Sequence, residues 1–144
     1  MNDLLALRTA IYEHFATTGR APSRSWLAGE VGDITAADTA LHRLHELHMV
    51  VLGDDGEIDM ALPFSSTPTD HLVTGDGCSW WANCSWDALA VVAALDVDAR
   101  IESTWVDTGE TVHLSVTDGR LEAPDGLIHF AVPARHWWDD IRET

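Results

Sequence analysis

The chain contains no lysine. Its eight bases are all arginine and face 24 acids, for a net charge of −16. That balance argues against a nucleic-acid partner, whose phosphates are met by clustered Lys and Arg. The same composition suits a GC-rich genome or a high-salt cytoplasm. No apolar run approaches the roughly 20 residues needed to span a bilayer. Met1-Asn2-Asp3-Leu4-Leu5 lacks the basic n-region of a signal peptide, so a cytoplasmic protein without membrane contact is expected. Cysteine is scarce: Cys78 and Cys84 are the only two. They are expected as free thiols, and their x5 spacing, with no second pair, is not that of a structural zinc site.

What is present reads as one ordinary domain, or two small ones sharing a core, in 144 residues with no internal repeat or low-complexity tract. Leu4, Leu7, Ile11 and Phe15 recur at helical spacing, with Leu5 and Tyr12 widening the stripe, and predict a helix over Asp3 to Thr18 stopped by Gly19. Ser23 can cap a second helix, Arg24 to Val31. Thr35 is expected to cap a third, Ala36 to Leu47, with Leu41, Leu44 and Leu47 pointing inward. A strand Val50 to Leu52, a turn Gly53-Asp54-Asp55-Gly56 and a returning strand Glu57 to Ala61 follow. Three helices and a hairpin are the order of a winged helix-turn-helix. The third helix carries one arginine and two acids, and the hairpin tip is Asp-Asp. Such a surface repels phosphate, so a packing module is the favoured reading.

The Pro/Ser/Thr-rich stretch Leu62 to Thr69 reads as a boundary, dividing the chain into 1–62 and 63–144. Beyond it, strands are expected at Leu72-Val73, Ser79 to Asn83, Ala99 to Trp105, Thr111 to Thr117, Leu121-Glu122 and Leu127 to Val132. A helix from Cys84 to about Asp96 and a final helix over His136 to Arg142 complete the α+β pattern.

Chemistry is concentrated in Ser79 to Leu89, which holds one of the two cysteines and three of the seven tryptophans. Cys84 falls at a strand-to-helix junction, where a helix dipole favours a thiolate and would lower its pKa. Asp87, three residues on, shares a face of the first turn. The same features also suit a plain helix start, with Asn83 or Cys84 as the cap and Asp87 meeting the dipole. Trp80, Trp81, Trp86, Trp137 and Trp138 either line an apolar pocket or fill the core. His42, His45 and His48 converge poorly for a metal and read as flanks of a leucine stripe. His113 and His129 fall in expected strands without an assignable partner.

The segment Trp81-Ala82-Asn83-Cys84-Ser85-Trp86-Asp87-Ala88-Leu89 resembles the catalytic segment of the organomercurial (alkylmercury) lyases, the MerB family. Pro63-Phe64-Ser65, the strand from Ala99, the Thr108-Gly109 turn, Val112 to Val116 and the run Leu127 to Pro133 follow the family's order, so the likeness covers nearly the whole chain. It implies a winged-helix-like N-terminal module and a β-rich module whose helix starts at Cys-x-x-Asp. It also implies protonolysis of a carbon–mercury bond, with Cys84 as the mercury-binding thiol and Asp87 as the proton-handling group. The expected partner is a small-molecule or organometallic ligand, and no cofactor is expected. The family's second catalytic cysteine follows a segment resembling Asp139 to Thr144, and the sequence stops a residue or two short of it. A third family cysteine corresponds to Trp105. Cys78 is the one other thiol in the sequence to join Cys84 on mercury. With one matched thiol, product mercury is expected to be held poorly and released slowly. Two other readings stay open: a small-molecule enzyme using Asp87 in a tryptophan-lined pocket, and a non-catalytic soft-metal or regulatory module with Cu(I) as a candidate ligand.

Overall fold

The computed structural model describes residues 2–142. Three helices lead: α1 (Asn2–Thr18), α2 (Arg24–Val31) and α3 (Ile34–Glu46). In α1, Leu7, Ile11 and Phe15 are buried at intervals of four, one face of a 3.6-residue repeat. Leu5 falls outside that stripe and is 46% exposed. Ser23 caps α2 as expected, its hydroxyl accepting from the Trp26 N–H at 3.2 Å. The cap of α3 is Asp33 and not Thr35. Its extended backbone lets the carboxylate accept from the Ala36 N–H at 2.8 Å, and a carboxylate also suits the helix's positive end. Leu41 and Leu44 are buried, but Leu47 lies past the last turn and is 41% exposed. His48 then takes a positive φ of 58° and turns the chain into the first strand.

The strands are β1 (Val51–Leu52), β2 (Ile58–Ala61), β3 (Phe64–Ser65), β4 (Leu72–Gly75), β5 (Cys78–Ala82), β6 (Ala99–Thr104), β7 (Thr111–Thr117) and β8 (Arg120–Glu122), with helix α4 (Ser85–Leu95) between β5 and β6. They form one eight-stranded antiparallel sheet in the order β1-β2-β3-β5-β4-β6-β7-β8. The stretch Leu62 to Thr69, expected as a boundary, supplies β3. That strand pairs Met60 with Ser65 on one side and Phe64 with Ala82 on the other, so the sheet runs unbroken from the hairpin to β8. One apolar cluster joins α1, α2 and α3 to β2, β4, β5, β6 and α4. The protein is α+β.

Two contacts fix where β5, and therefore Cys84, lies. The Trp80 indole N–H is shared between the Phe15 and Ala16 carbonyls, both at 3.0 Å; the Phe15 carbonyl also accepts from the Gly19 N–H at 2.8 Å, so both lie in the last turn of α1, where carbonyls look for partners outside the helix. Gly19, at φ +70°, brings the end of α1 so close to β5 that a side-chain Cβ would collide with the Ser79 carbonyl. Glycine alone meets both demands.

Two expected elements differ. Leu127 to Val132 forms no strand, and His136 to Arg142 is replaced by a 3-10 helix, Ala134–Asp139. Within the first stretch Phe130 packs on the Trp86 and Trp137 rings while Leu127 is exposed, and Pro124 and Pro133 bracket it. Proline removes a ladder donor. Residues 123–142 thus make an irregular strap beyond β8. Among the described residues, no helix is long and apolar enough to cross a membrane.

Candidate active site at the start of helix α4

Strand β5 ends at Ala82, and two residues later Cys84 caps α4. With φ −150° and ψ 177°, Cys84 is extended, and its Sγ accepts from the Asp87 N–H at 3.4 Å. Its carbonyl accepts from the Ala88 N–H at 3.0 Å. A thiol thus fills the role usually taken by Ser, Thr or Asp. Ala88, Val91 and Val92 bury the far face of α4, which fixes the helix and leaves its first turn at the surface of a pocket.

That pocket, of about 180 Å³, is lined by both Cys84 and Asp87. Its floor comes from Leu62 and from Asn83 to Asp87. Its wall is the strap: Ile128 to Ala131, Trp137 and Ile141. Phe130 links the two sides, meeting Trp86 edge-on at 6.0 Å and Trp137 at 5.3 Å between ring centroids. The Trp137 indole N–H donates to the Val132 carbonyl at 2.8 Å.

Of the five tryptophans expected around a site, Trp86 and Trp137 line the pocket. Trp80 is a core residue, 3% exposed, and its neighbour Trp81 points to the opposite face of β5 by strand alternation. Trp138 leaves the pocket to stack on His48, with ring centroids at 4.0 Å and an angle of 5° between planes. Cys78 stands at the other end of β5, beside Gly19, with roughly 13 Å of strand between it and Ala82 alone. It shares no pocket with Cys84, and both thiols are free. The histidine series is dispersed: His45 faces the Leu52 N–H and the Val50 carbonyl at the α3–β1 junction, while His48 is taken by Trp138. Among the described residues, no group of three or more His, Cys, Asp or Glu could hold a metal ion.

Asn83 was visible in sequence only as a candidate cap. It proves to be a partner of Asp87, its Nδ2 donating to Asp87 Oδ2 at 3.2 Å and to the Pro63 carbonyl at 3.1 Å. His129, Phe130, Ile128 and Ile141 gave no signal as site residues. An apolar stretch held between prolines, with no strand to pair with, is the feature that marks them.

Burial governs the electrostatics. It pushes the Asp87 carboxyl up from the usual carboxylate range, and the Asn83 hydrogen bond opposes it. It also pushes the Cys84 thiol up, the Asp87 carboxylate adds to the rise, and the N–H groups of Asp87 and Trp86 work against it. The expected low thiol pKa is therefore reversed. The helix start does favour the thiolate, but desolvation in an apolar pocket outweighs it. The sign is testable. Fewer thiolates exist at a given pH, so iodoacetamide should alkylate Cys84 with a midpoint above that of a free cysteine peptide. Asp87→Asn should move that midpoint down. A wild-type midpoint at or below the free thiol would overturn the assignment.

A soft thiol and an acid held toward its neutral form thus share one small apolar pocket. The profile of the alkylmercury lyase family, MerB, matches residues 64–144. Comparison with curated protein sequences gives no significant match. Among solved structures, the mercury-bound form of MerB2 is similar, with a TM-score of 0.66 and 26% sequence identity over 85% of this chain. The chain spans 59% of that protein's length. The family profile covers more than half of the 144 residues, and the chain belongs to the alkylmercury lyase family.

Proposed function

We propose that this protein binds organomercurials through Cys84 and that Asp87 supplies the proton that ends on the carbon leaving group. The observation that carries the reading is the meeting of Cys84 and Asp87 in one apolar pocket, where burial holds the carboxyl toward its protonated form. Thiolate sulfur is the soft ligand a soft metal prefers.

The steps balance as follows. An organomercurial arrives as a thiol complex and exchanges onto Cys84, whose proton leaves with the displaced thiol. The Asp87 proton then goes to the carbon, the carbon–mercury bond breaks, and its electron pair forms the new C–H bond. Hg(II) remains on Cys84 beside the Asp87 carboxylate. A small thiol from solution next binds the metal and returns its proton to Asp87, and a second carries mercury away and reprotonates Cys84. Cys84 is the one thiol lining the pocket among the described residues, so the turnover is expected to depend on added thiol.

The test is mass spectrometry with phenylmercury on a Cys78→Ser background. One adduct per chain is expected, with none after Cys84→Ala; equal adduct on both would sink the proposal. With excess small thiol, benzene release should follow and should fall by about 10²-fold or more in Asp87→Asn, the usual scale of positioned acid catalysis. Adduct without benzene would leave binding and remove the lyase step.

A further inference from the structure

Asn83 sits in the two-residue gap between β5 and α4, immediately before the capping thiol. One nitrogen, Nδ2, serves two acceptors: the Pro63 carbonyl at 3.1 Å and Asp87 Oδ2 at 3.2 Å. Turning the amide over would set its oxygen against a carbonyl and a carboxyl oxygen, so the network fixes which end is which. The amide oxygen Oδ1 is buried and has no hydrogen-bond partner among the described residues. Leaving a buried acceptor unpaired is costly. An orientation retained at that cost is set by what the nitrogen does.

The anchor is itself rigid. Pro63 directly precedes β3, whose Phe64 pairs with Ala82 of β5, the residue before Asn83. The amide is therefore held by the sheet and not by a free loop, and it passes that placement to the first turn of α4. Asp87 Oδ2 accepts the Nδ2–H. In a neutral carboxyl the accepting oxygen is the carbonyl oxygen, so the hydroxyl falls on Oδ1.

We propose that Asn83 is the positioning residue of the site: clamped on the Pro63 carbonyl, it fixes the Asp87 side chain in one orientation and leaves Oδ1 as the oxygen that carries and delivers a proton. The role of that proton rests on the function proposed above; the orientation does not.

Three measurements separate the two. In Asn83→Ala, phenylmercury should still add to Cys84 as in wild type, while benzene release from the preformed adduct falls by about 10-fold or more. In the Asp87→Asn background, Asn83→Ala should cost nothing further, because residues that act as a unit are not additive. A merely structural Asn83 would slow both backgrounds equally, which would overturn the proposal. Asn83→His, which keeps a ring N–H near the same place, should recover part of the rate and supplies a folded variant if the alanine chain is unstable. The third measurement is the Asp87 χ1 couplings by NMR, a single rotamer in wild type and averaged in Asn83→Ala. If wild type releases no benzene, the lyase reading fails and these couplings still decide the positioning. One unchanged rotamer in both proteins would refute it.

Discussion

Trp80→Ala is expected to destabilise the fold by about 4 kcal/mol, within the range for burying and then deleting a large aromatic. At this chain length that corresponds to a fall in Tm of roughly 10–15 °C. The ring is 3% exposed, and its N–H is the donor shared by the Phe15 and Ala16 carbonyls. The loss therefore combines a cavity with two acceptors left without that donor. Trp80→Phe separates the parts: it keeps most of the packing and should cost about 1–2 kcal/mol, since the Ala16 carbonyl loses the indole donor while the Phe15 carbonyl keeps the Gly19 N–H. Trp86, 54% exposed at the pocket mouth, should cost less than about 1 kcal/mol on truncation. Urea unfolding of the three variants checks the order, and equal losses at Trp80 and Trp86 would contradict it. The consequence for function follows from β5. Trp80 ties α1 to the strand that ends at Ala82, just before Asn83 and Cys84, so its loss should also weaken phenylmercury binding at a site it does not touch.

That same pair of neighbours explains what could be read from sequence. Strand alternation places Trp80 and Trp81 on opposite faces, but it does not say which face meets α1. The answer lies in carbonyls some 64 and 65 residues away. Local signals carried further. The stripe Leu7, Ile11, Phe15, the Ser23 cap and the extent of α4 are written within a few residues and were legible. Asp33 caps α3 where Thr35 is expected, because both residue types cap helices and only the backbone chooses between them. At the site, Cys84 and Asp87 stood out through position and family resemblance. The direction of the Cys84 shift did not, because a helix start is a local feature and burial is not. The burial comes from Ile128, Phe130, Trp137 and Ile141, more than 40 residues downstream. Read as a strand and a helix, those residues gave no hint that they close over the thiol.

Loosening that closure should expose Cys84 selectively. The strap is seated at its start by Gly126, which lies so tightly on the Trp105 ring that a Cβ would come within 2.6 Å of it. Its far end is held at two points, on the α3–β1 turn and on the β1–β2 hairpin. Trp138 stacks on His48. Arg142 donates from Nη2 to the Leu52 carbonyl at 2.7 Å and from Nε to Asp59 at 2.9 Å. The ion pair is partly exposed and contributes about 0.5 kcal/mol. The ring stack and the bond to the backbone carbonyl add about 1 kcal/mol each. Trp138→Ala with Arg142→Ala should thus favour local opening by about 2.5 kcal/mol, or roughly 70-fold. The rate of Cys84 labelling by a bulky aromatic disulfide should rise by about 10-fold or more, since labelling follows the open population when closing is fast. Cys78 supplies the internal control. It lies beside Gly19 at the far end of β5, and the strap does not cover it. Labelling of Cys84 alone should accelerate. Equal acceleration at both thiols would mean that the whole fold had loosened, and unchanged labelling at both would mean that the turn and hairpin do not hold the strap over the pocket. The turn and hairpin then have a use that needs no nucleic acid: they are the surface on which the pocket wall is fastened, which gives the N-terminal helices and their hairpin a mechanical share in the chemistry proposed for Cys84.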